Sequence, residues 1–365
     1  MKKIRKDNVM KKRNSLKVTG TILCCVAGIV LVIVIAWIVV SKIGERSLYG
    51  DRITEESGEI VNISYLSNEE LADVLWRKGK VRYLGEVYEY NEEILTFLVL
   101  GIDKEGPLSA TDKIAAGGQS DALFLVLLNP ENKSINVLAI DRNLMTKVAV
   151  PGMGENGEDE YFNGQITLQY GYGDGRESSC QLTKDLVSKV LYQIPINGYG
   201  AISYSALPYL NDSVGGVEVT VTEDVIGDTG WTVGEKVVLH DSEAILYIRY
   251  RDTSVFESAR MRTQRQKEYL SAWVNQVMEQ TQKDITFPMK LYQGIQQYVV
   301  TDLSVEEVLY LAEEISTYEF SEIQIHTMPG ETIHGEVYEE FYPDETELRK
   351  LILDLYYTPV TENEE

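Results

Sequence analysis

Between residues 94 and 140 the chain sets down three apolar runs, each closed by turn residues. Residues 94–100 end at Gly101, residues 121–128 end at Asn129-Pro130, and residues 134–140 follow at once. Runs of this length fit strands buried on both faces, so helices are expected over the sheet. The short Asn129-Pro130-Glu131-Asn132 connection predicts an antiparallel hairpin from the second and third runs. Helical spacing takes over at residues 179–192, where Leu182, Leu186, Val187, Val190 and Leu191 share a face. Further helices are predicted over 242–247, 262–280, 304–315 and 344–355, the third following a cap signal at Asp302-Leu303-Ser304. Alternation predicts strands at 217–221 and 323–328. Strands interleaved with helices argue for a single α/β domain, a central mixed sheet flanked by helices, over residues 94–357. Residues 41–93 read as a polar stalk with some helix after Ser67-Asn68-Glu69-Glu70, and residues 358–365 as a frayed acidic tail.

The N-terminal end has a different texture. Residues 18–40 carry no charged side chain and are mostly Val, Ile, Leu, Ala and Gly. A helix of about 20 such residues crosses the roughly 30 Å hydrocarbon layer of a bilayer. Trp37 lies near one end, where its ring suits the interface. Lys2, Lys3, Arg5, Lys6, Lys11, Lys12, Arg13 and Lys17 precede the stretch against a single acid, Asp7. The positive-inside rule then keeps residues 1–17 in the cytoplasm, makes 18–40 a transmembrane helix and puts the rest outside the plasma membrane. A cleaved signal peptide would have a shorter apolar core and small residues at the cut, but the stretch ends Ile38-Val39-Val40-Ser41-Lys42.

Charge and cysteine content narrow the chemistry. The formal net charge is −23, and a strongly acidic domain repels nucleic acid. Of three cysteines, Cys24 and Cys25 fall in the membrane stretch, leaving Cys180 with no partner for an intramolecular disulfide. His240, His326 and His334 have no metal-ligand spacing, which argues against zinc and against Ser-His or Cys-His catalysis.

Against this acidic background the arginines gather. Arg249, Arg251, Arg260, Arg262 and Arg265 fall in one short stretch. If extended, Arg249-Tyr250-Arg251 points both guanidinium groups to one face; on a helix Arg262, Arg265 and Gln266 share one. Guanidinium forks pair bidentately with phosphate, although Asp252, Glu257 and Glu268 could equally answer these charges as surface ion pairs. Asp103 ends the first apolar run and Asp121 opens the second. Neighbouring strand ends could bring them together to hold a hard cation such as Mg²⁺, or each could simply cap a turn.

In order, GIDKEGP at Gly101, SDALFLVLLNPENKSINVLAIDRN at Ser120, LNDSVGGVEV at Leu210, YIRYRD at Tyr247, RTQRQKEYL at Arg262, TDLS at Thr301, MPGE at Met328 and YPDETELRKLI at Tyr342 resemble the LytR-CpsA-Psr family. The likeness runs from about Leu95 to Tyr357. It implies transfer of an anionic glycopolymer, such as teichoic acid, from an undecaprenyl-pyrophosphate carrier at the membrane to peptidoglycan. By the same likeness Asp103 and Asp121 would bind Mg²⁺ or another divalent cation. Arg142, Arg249, Arg251, Arg262, Arg265 and Gln266 would grip the pyrophosphate, and an apolar tunnel would hold the prenyl chain. Asp103, Arg142, Arg249 and Arg251 are the expected catalytic groups, with Asp103, by position, the proton acceptor. The chain also departs from the family pattern. Asn143 follows Arg142 where a carboxylate is usual, Gln119 stands where an arginine often precedes Ser-Asp, and Gln165-Ile166-Thr167 replaces Lys-x-Asn. These changes predict less positive charge near the phosphates. They motivate a second reading, a non-catalytic binder of prenyl pyrophosphates that regulates envelope assembly; a third is a pyrophosphatase that hydrolyses the carrier lipid.

With Cys180 alone beyond residue 40, stability has to come from packing. A chain starting at residue 41 is expected to unfold cooperatively at the same temperature with and without reductant. A transition that vanishes on adding reductant would contradict this.

Overall fold

The computed structural model describes residues 40–50, 60–76, 79–222, 225, 229–250, 258–318 and 324–360. The expected membrane stretch, apart from Val40, therefore lies outside the described residues, as do Arg251 and residues 361–365. Among the described residues no helix is long and apolar enough to cross a membrane.

Two compact units are present. In the smaller one, a helix over residues 40–49 lies against residues 304–313. Gly44 faces the backbone of Glu306 so closely that a Cβ would come within 2.2 Å of its carbonyl oxygen. The Ser41 hydroxyl donates to the Glu313 carboxylate at 2.6 Å.

The larger unit, residues 52–303 with 314–365, is built on a six-stranded mixed sheet. Its strands are β1 (Leu95–Ile102), β2 (Ser120–Asn129), β3 (Ser134–Ile140), β4 (Gly198–Ser203), β5 (Val299–Thr301) and β6 (Gln324–Thr327), in the order β5-β4-β1-β2-β3-β6. The first three form an antiparallel meander, in which the tight β2–β3 connection makes the predicted hairpin while residues 103–119 join β1 to β2; β4 runs parallel to β1 and β6 parallel to β3.

Alternation along the strands separates two faces. On one, Leu98, Leu100, Ile102, Leu123, Leu125, Leu127 and Leu138 join the main core. Helices α1 (Glu177–Val190) and α5 (Glu345–Tyr356) supply Cys180, Leu186, Val187, Leu348, Ile352 and Tyr356 to that core. Asp344 caps α5, its carboxylate accepting from the N–H groups of Thr346 and Glu347. On the other face, Ala122, Phe124 and Val126 are only half-buried. Over that face lie α2 (Leu207–Ser213), α3 (Ser242–Arg249) and α4 (Ser258–Lys283).

Residues 60–93, read from sequence as stalk, are part of this fold. A second sheet, of Val61–Asn62, Lys80–Tyr83, Glu86–Tyr90 and Tyr357–Val360, is closed by the last of these strands, whose residues 358–360 had read as tail. Alternation in this stretch is short and tyrosine-rich, so it resembles a polar linker by composition while burying Ile63, Leu71, Leu75, Val81 and Tyr88. Trp76 ties it down. Its ring meets Tyr356 edge-to-face at 5.2 Å, and its indole N–H donates to the Tyr192 carbonyl at 2.7 Å.

Trp76→Ala removes a large buried ring together with its hydrogen bond. It is expected to cost about 3–5 kcal/mol in denaturant unfolding. A loss near that of a surface substitution would mean that residues 60–93 are peripheral to the core.

Candidate functional site

A cavity of about 300 Å³ opens on the half-buried face of the sheet. Val99, Ala122, Phe124 and Ile202 form its floor. Leu207 and Leu210 of α2 and Ile248 of α3 wall it, with Tyr269, Leu270 and Trp273 of α4 opposite. Its polar lining includes Asp103, Asp121, Arg249, Arg262 and Gln266.

The two carboxylates owe their shared position to a register slip. Along β1 and β2, Gly101 pairs with Ala122 but Ile102 pairs with Ser120, leaving Asp121 as the extra residue of a bulge. A bulge re-aims a side chain that strict alternation would send to the other face. Consecutive residues Asp121 and Ala122 therefore both reach the cavity. Gly101 permits the close approach, since a Cβ there would come to 3.0 Å from the Ala122 side chain.

Both acids are answered by arginines. Asp103 Oδ1 accepts from Arg249 Nη2 at 2.7 Å, and Asp121 Oδ1 accepts from Arg142 Nη1. Burial pushes the Asp121 carboxyl above the usual carboxylate range; Arg142 opposes that shift and Asp103 reinforces it. Asp141 is raised by burial in the same way, against a hydrogen bond from the Asn143 N–H. Arg142 grips Asp121 without itself lining the cavity.

The remaining arginines divide by role. Arg249 is the last residue of helix α3, so the extended pairing with Arg251 predicted from their spacing does not form at that residue. Arg262 and Gln266 line the cavity. Arg265, expected to bind phosphate, is instead buried, only 1% exposed, and donates to the carbonyls of Tyr247 and Tyr250. Those carbonyls lie at the C-terminal end of α3, where helix carbonyls lack intrahelical donors. Gln266 adds a bond from its side-chain amide to the Ile248 carbonyl at 3.3 Å. Arg265 and Gln266 thus tie α4 to the end of α3 that carries Arg249.

Sequence reading missed the α4 face beyond Gln266. Arg262, Gln266, Tyr269, Leu270 and Trp273 all line the cavity, at helical spacing. The signal was present as a stripe that turns from polar to apolar. The loop over residues 104–118 is pinned rather than loose. Thr111 N–H donates to the Asp174 carbonyl at 2.8 Å, Ala115 N–H to Gly171 at 2.7 Å, and Arg176 to the Leu108 carbonyl at 2.8 Å.

The donor set also bears on metal binding. Among the described residues no three His, Cys, Asp or Glu side chains gather as a cage. Two carboxylates on one cavity wall fit a hard cation that takes its other ligands from phosphate and water, as Mg²⁺ does.

The split among the arginines can be measured. Arg265→Ala leaves two buried carbonyls without their charged donor and is expected to cost several kcal/mol of stability, each such bond being worth about 1.5–3 kcal/mol. Arg262→Ala, which removes a cavity-lining group, is expected to lower the unfolding midpoint less than Arg265→Ala does and to weaken binding of an anionic ligand. Equal destabilisation by both would mean that Arg262 is a strut as well.

The LytR_cpsA_psr family model matches residues 63–354. The polyisoprenyl-teichoic acid–peptidoglycan teichoic acid transferase TagV of Bacillus subtilis (strain 168) is 24% identical over 348 residues, covering 91% of this chain and 80% of TagV. The TagU transferase of Enterococcus faecalis (strain ATCC 700802 / V583) is 28% identical over 228 residues, 61% of this chain and 66% of TagU, so the match spans a little under two thirds of that relative. The crystal structure of B. subtilis TagV superposes with a TM-score of 0.55 at 23% identity, covering 73% of this chain and 96% of that one. A structure of TagT bound to LI-WTA gives 0.53 at 23% identity, over 72% and 89%. These structural likenesses are likenesses of fold. With the family match extending over most of the described residues, the chain belongs to the LytR_cpsA_psr family.

Proposed function

We propose that this protein transfers an anionic glycopolymer from an undecaprenyl-pyrophosphate carrier to a sugar hydroxyl of peptidoglycan, working outside the plasma membrane and anchored by residues 18–40. The observation that carries this reading is the profile of the cavity. Charged groups meet at Asp103, Asp121, Arg249 and Arg262, and the rest of the cavity lining, between the sheet and α4, is mostly apolar. Along α4 the lining changes from Arg262 and Gln266 to Leu270 and Trp273 over 11 residues, about 16 Å of helix. A ligand with a charged head and a hydrocarbon tail has that profile. The names of the TagV and TagU relatives support the same substrate class.

On this reading Arg249 and Arg262 bind the pyrophosphate oxygens through their N–H donors, and Arg142 holds Asp121 in place. The acceptor hydroxyl oxygen forms a bond to the sugar-side phosphorus as the bridging P–O bond breaks, and prenyl monophosphate leaves. Asp103 is the carboxylate placed to take the hydroxyl proton. Fixed positive groups aimed at the charge that builds on the phosphates lower the barrier without having to reorganise. Mg²⁺ held by Asp103 and Asp121 would neutralise further phosphate charge.

The assay is release of prenyl monophosphate against Mg²⁺ concentration, with and without a peptidoglycan acceptor. Asp121→Asn and Asp103→Asn are each expected to abolish Mg²⁺-dependent release while keeping cooperative unfolding. Undiminished turnover in excess chelator would remove the metal assignment. Release without acceptor would make the protein a pyrophosphatase. Tight binding of the lipid with no turnover on any acceptor would make it a non-catalytic binder.

A further inference from the structure

Tyr204 belongs to none of the motifs that mark the site, yet Arg249 lies on its ring. The guanidinium carbon is 4.1 Å from the ring centroid. Arg249 also donates to Asp103 at 2.7 Å, and all three residues line the cavity. The ion pair is a weak tether, because its side chains are 43% and 41% exposed, and exposed pairs contribute little once solvent and salt screen them. It also occupies an N–H donor that a phosphate oxygen would need. Stacking on a ring does neither. It engages the face of the guanidinium and leaves the in-plane donors available.

The turn that carries the ring is itself well fixed. Tyr204 opens a short 3₁₀ turn, Tyr204–Ala206. The serines on either side of it clasp the segment just after Asp103. The Ser203 hydroxyl donates to the Lys104 carbonyl at 2.7 Å, and the Gly106 N–H donates to the Ser205 hydroxyl at 2.9 Å. The strand end that carries Asp103 and the turn that carries Tyr204 are thereby joined into one support for Arg249.

We propose that Tyr204 is a positioning residue for Arg249, holding the guanidinium where the charged part of the cavity meets its apolar part. This rests on reading the site as one that binds a prenyl pyrophosphate. A ring at that boundary could instead serve only as wall for the hydrocarbon, so the probe has to lack one. Binding of inorganic pyrophosphate to the full chain in detergent is measured by calorimetry at one fixed Mg²⁺ concentration, for wild type, Tyr204→Leu, Tyr204→Phe, Arg249→Ala and the Tyr204→Leu/Arg249→Ala pair. Tyr204→Leu is expected to weaken binding about five- to tenfold, within the span of cation–π contributions. Tyr204→Phe keeps the π face and is expected to stay within about twofold of wild type on the same ground. With Arg249 already removed, Tyr204→Leu is expected to cost nothing more, since the two act as a unit. A loss that persists undiminished in the Arg249→Ala background overturns the proposal, because the ring then acts through something else. Full binding by Tyr204→Leu alongside a loss in Arg249→Ala overturns it too, while leaving the pyrophosphate reading intact. No loss in either variant overturns both. Should leucine cost the chain its cooperative unfolding, Tyr204→Met, which fills the space without a π face, takes its place with the same expected losses.

Discussion

Charged and apolar walls share one cavity because the β1–β2 ladder slips by a single residue between Gly101 and Ile102. Strict alternation would aim Asp121 at the leucine face, where an unpaired carboxylate is costly to bury. The slip sends it to the face that Ala122 and Phe124 already line, within the electrostatic reach of Asp103. Arg142, just past the end of β3, holds Asp121, and Arg249, at the end of α3, holds Asp103. With Arg262 of α4, the charged lining of the cavity is thus drawn from four chain segments, and Arg142 braces it from outside.

Much of the architecture was legible in the sequence. The hairpin of β2 and β3 was marked by its tight connection. The helices of α1, α4 and α5 were marked by spacing. The cavity was not legible, for a physical reason. Ala122, Phe124 and Val126 would have to be apolar whether they pressed against helices or lined a slot for hydrocarbon. The difference shows only in burial, where Leu123, Leu125 and Leu127 are fully enclosed and their alternating neighbours are not. Residues 60–93 were misread because short, tyrosine-rich alternation has the composition of a linker. Its burial depends on partners such as Tyr356 and Tyr357, which lie far along the chain.

The arginine cluster shows why like residues at helical spacing need not share a role. Arg262 turns to the cavity, whereas Arg265, one turn on, is a buried brace for the helix end that presents Arg249. The departures from the family pattern read differently once their contacts are known. The Gln165 amide donates to the Asn143 side chain and to the Glu339 carbonyl, both at 2.9 Å. The two residues are 9% and 8% exposed, and neither lines the cavity. Gln165 and Asn143 are thus two touching amides at two positions where the resemblance led one to expect charged side chains. Two neutral amides satisfy one another there without the desolvation that burying charges demands.

The contact between Trp76 and the end of the chain bears on synthesis. The Trp76 N–H donates to the Tyr357 hydroxyl across 281 positions of sequence. A ribosome adding about 5–20 residues per second delivers the second partner many seconds after the first. Until α5 and the strand after it arrive, Ile63, Leu71 and Trp76 have no lid, and the second sheet lacks its closing strand. A nascent chain of this protein therefore lacks two aromatic partners of Trp76 until residues 356 and 357 have been made.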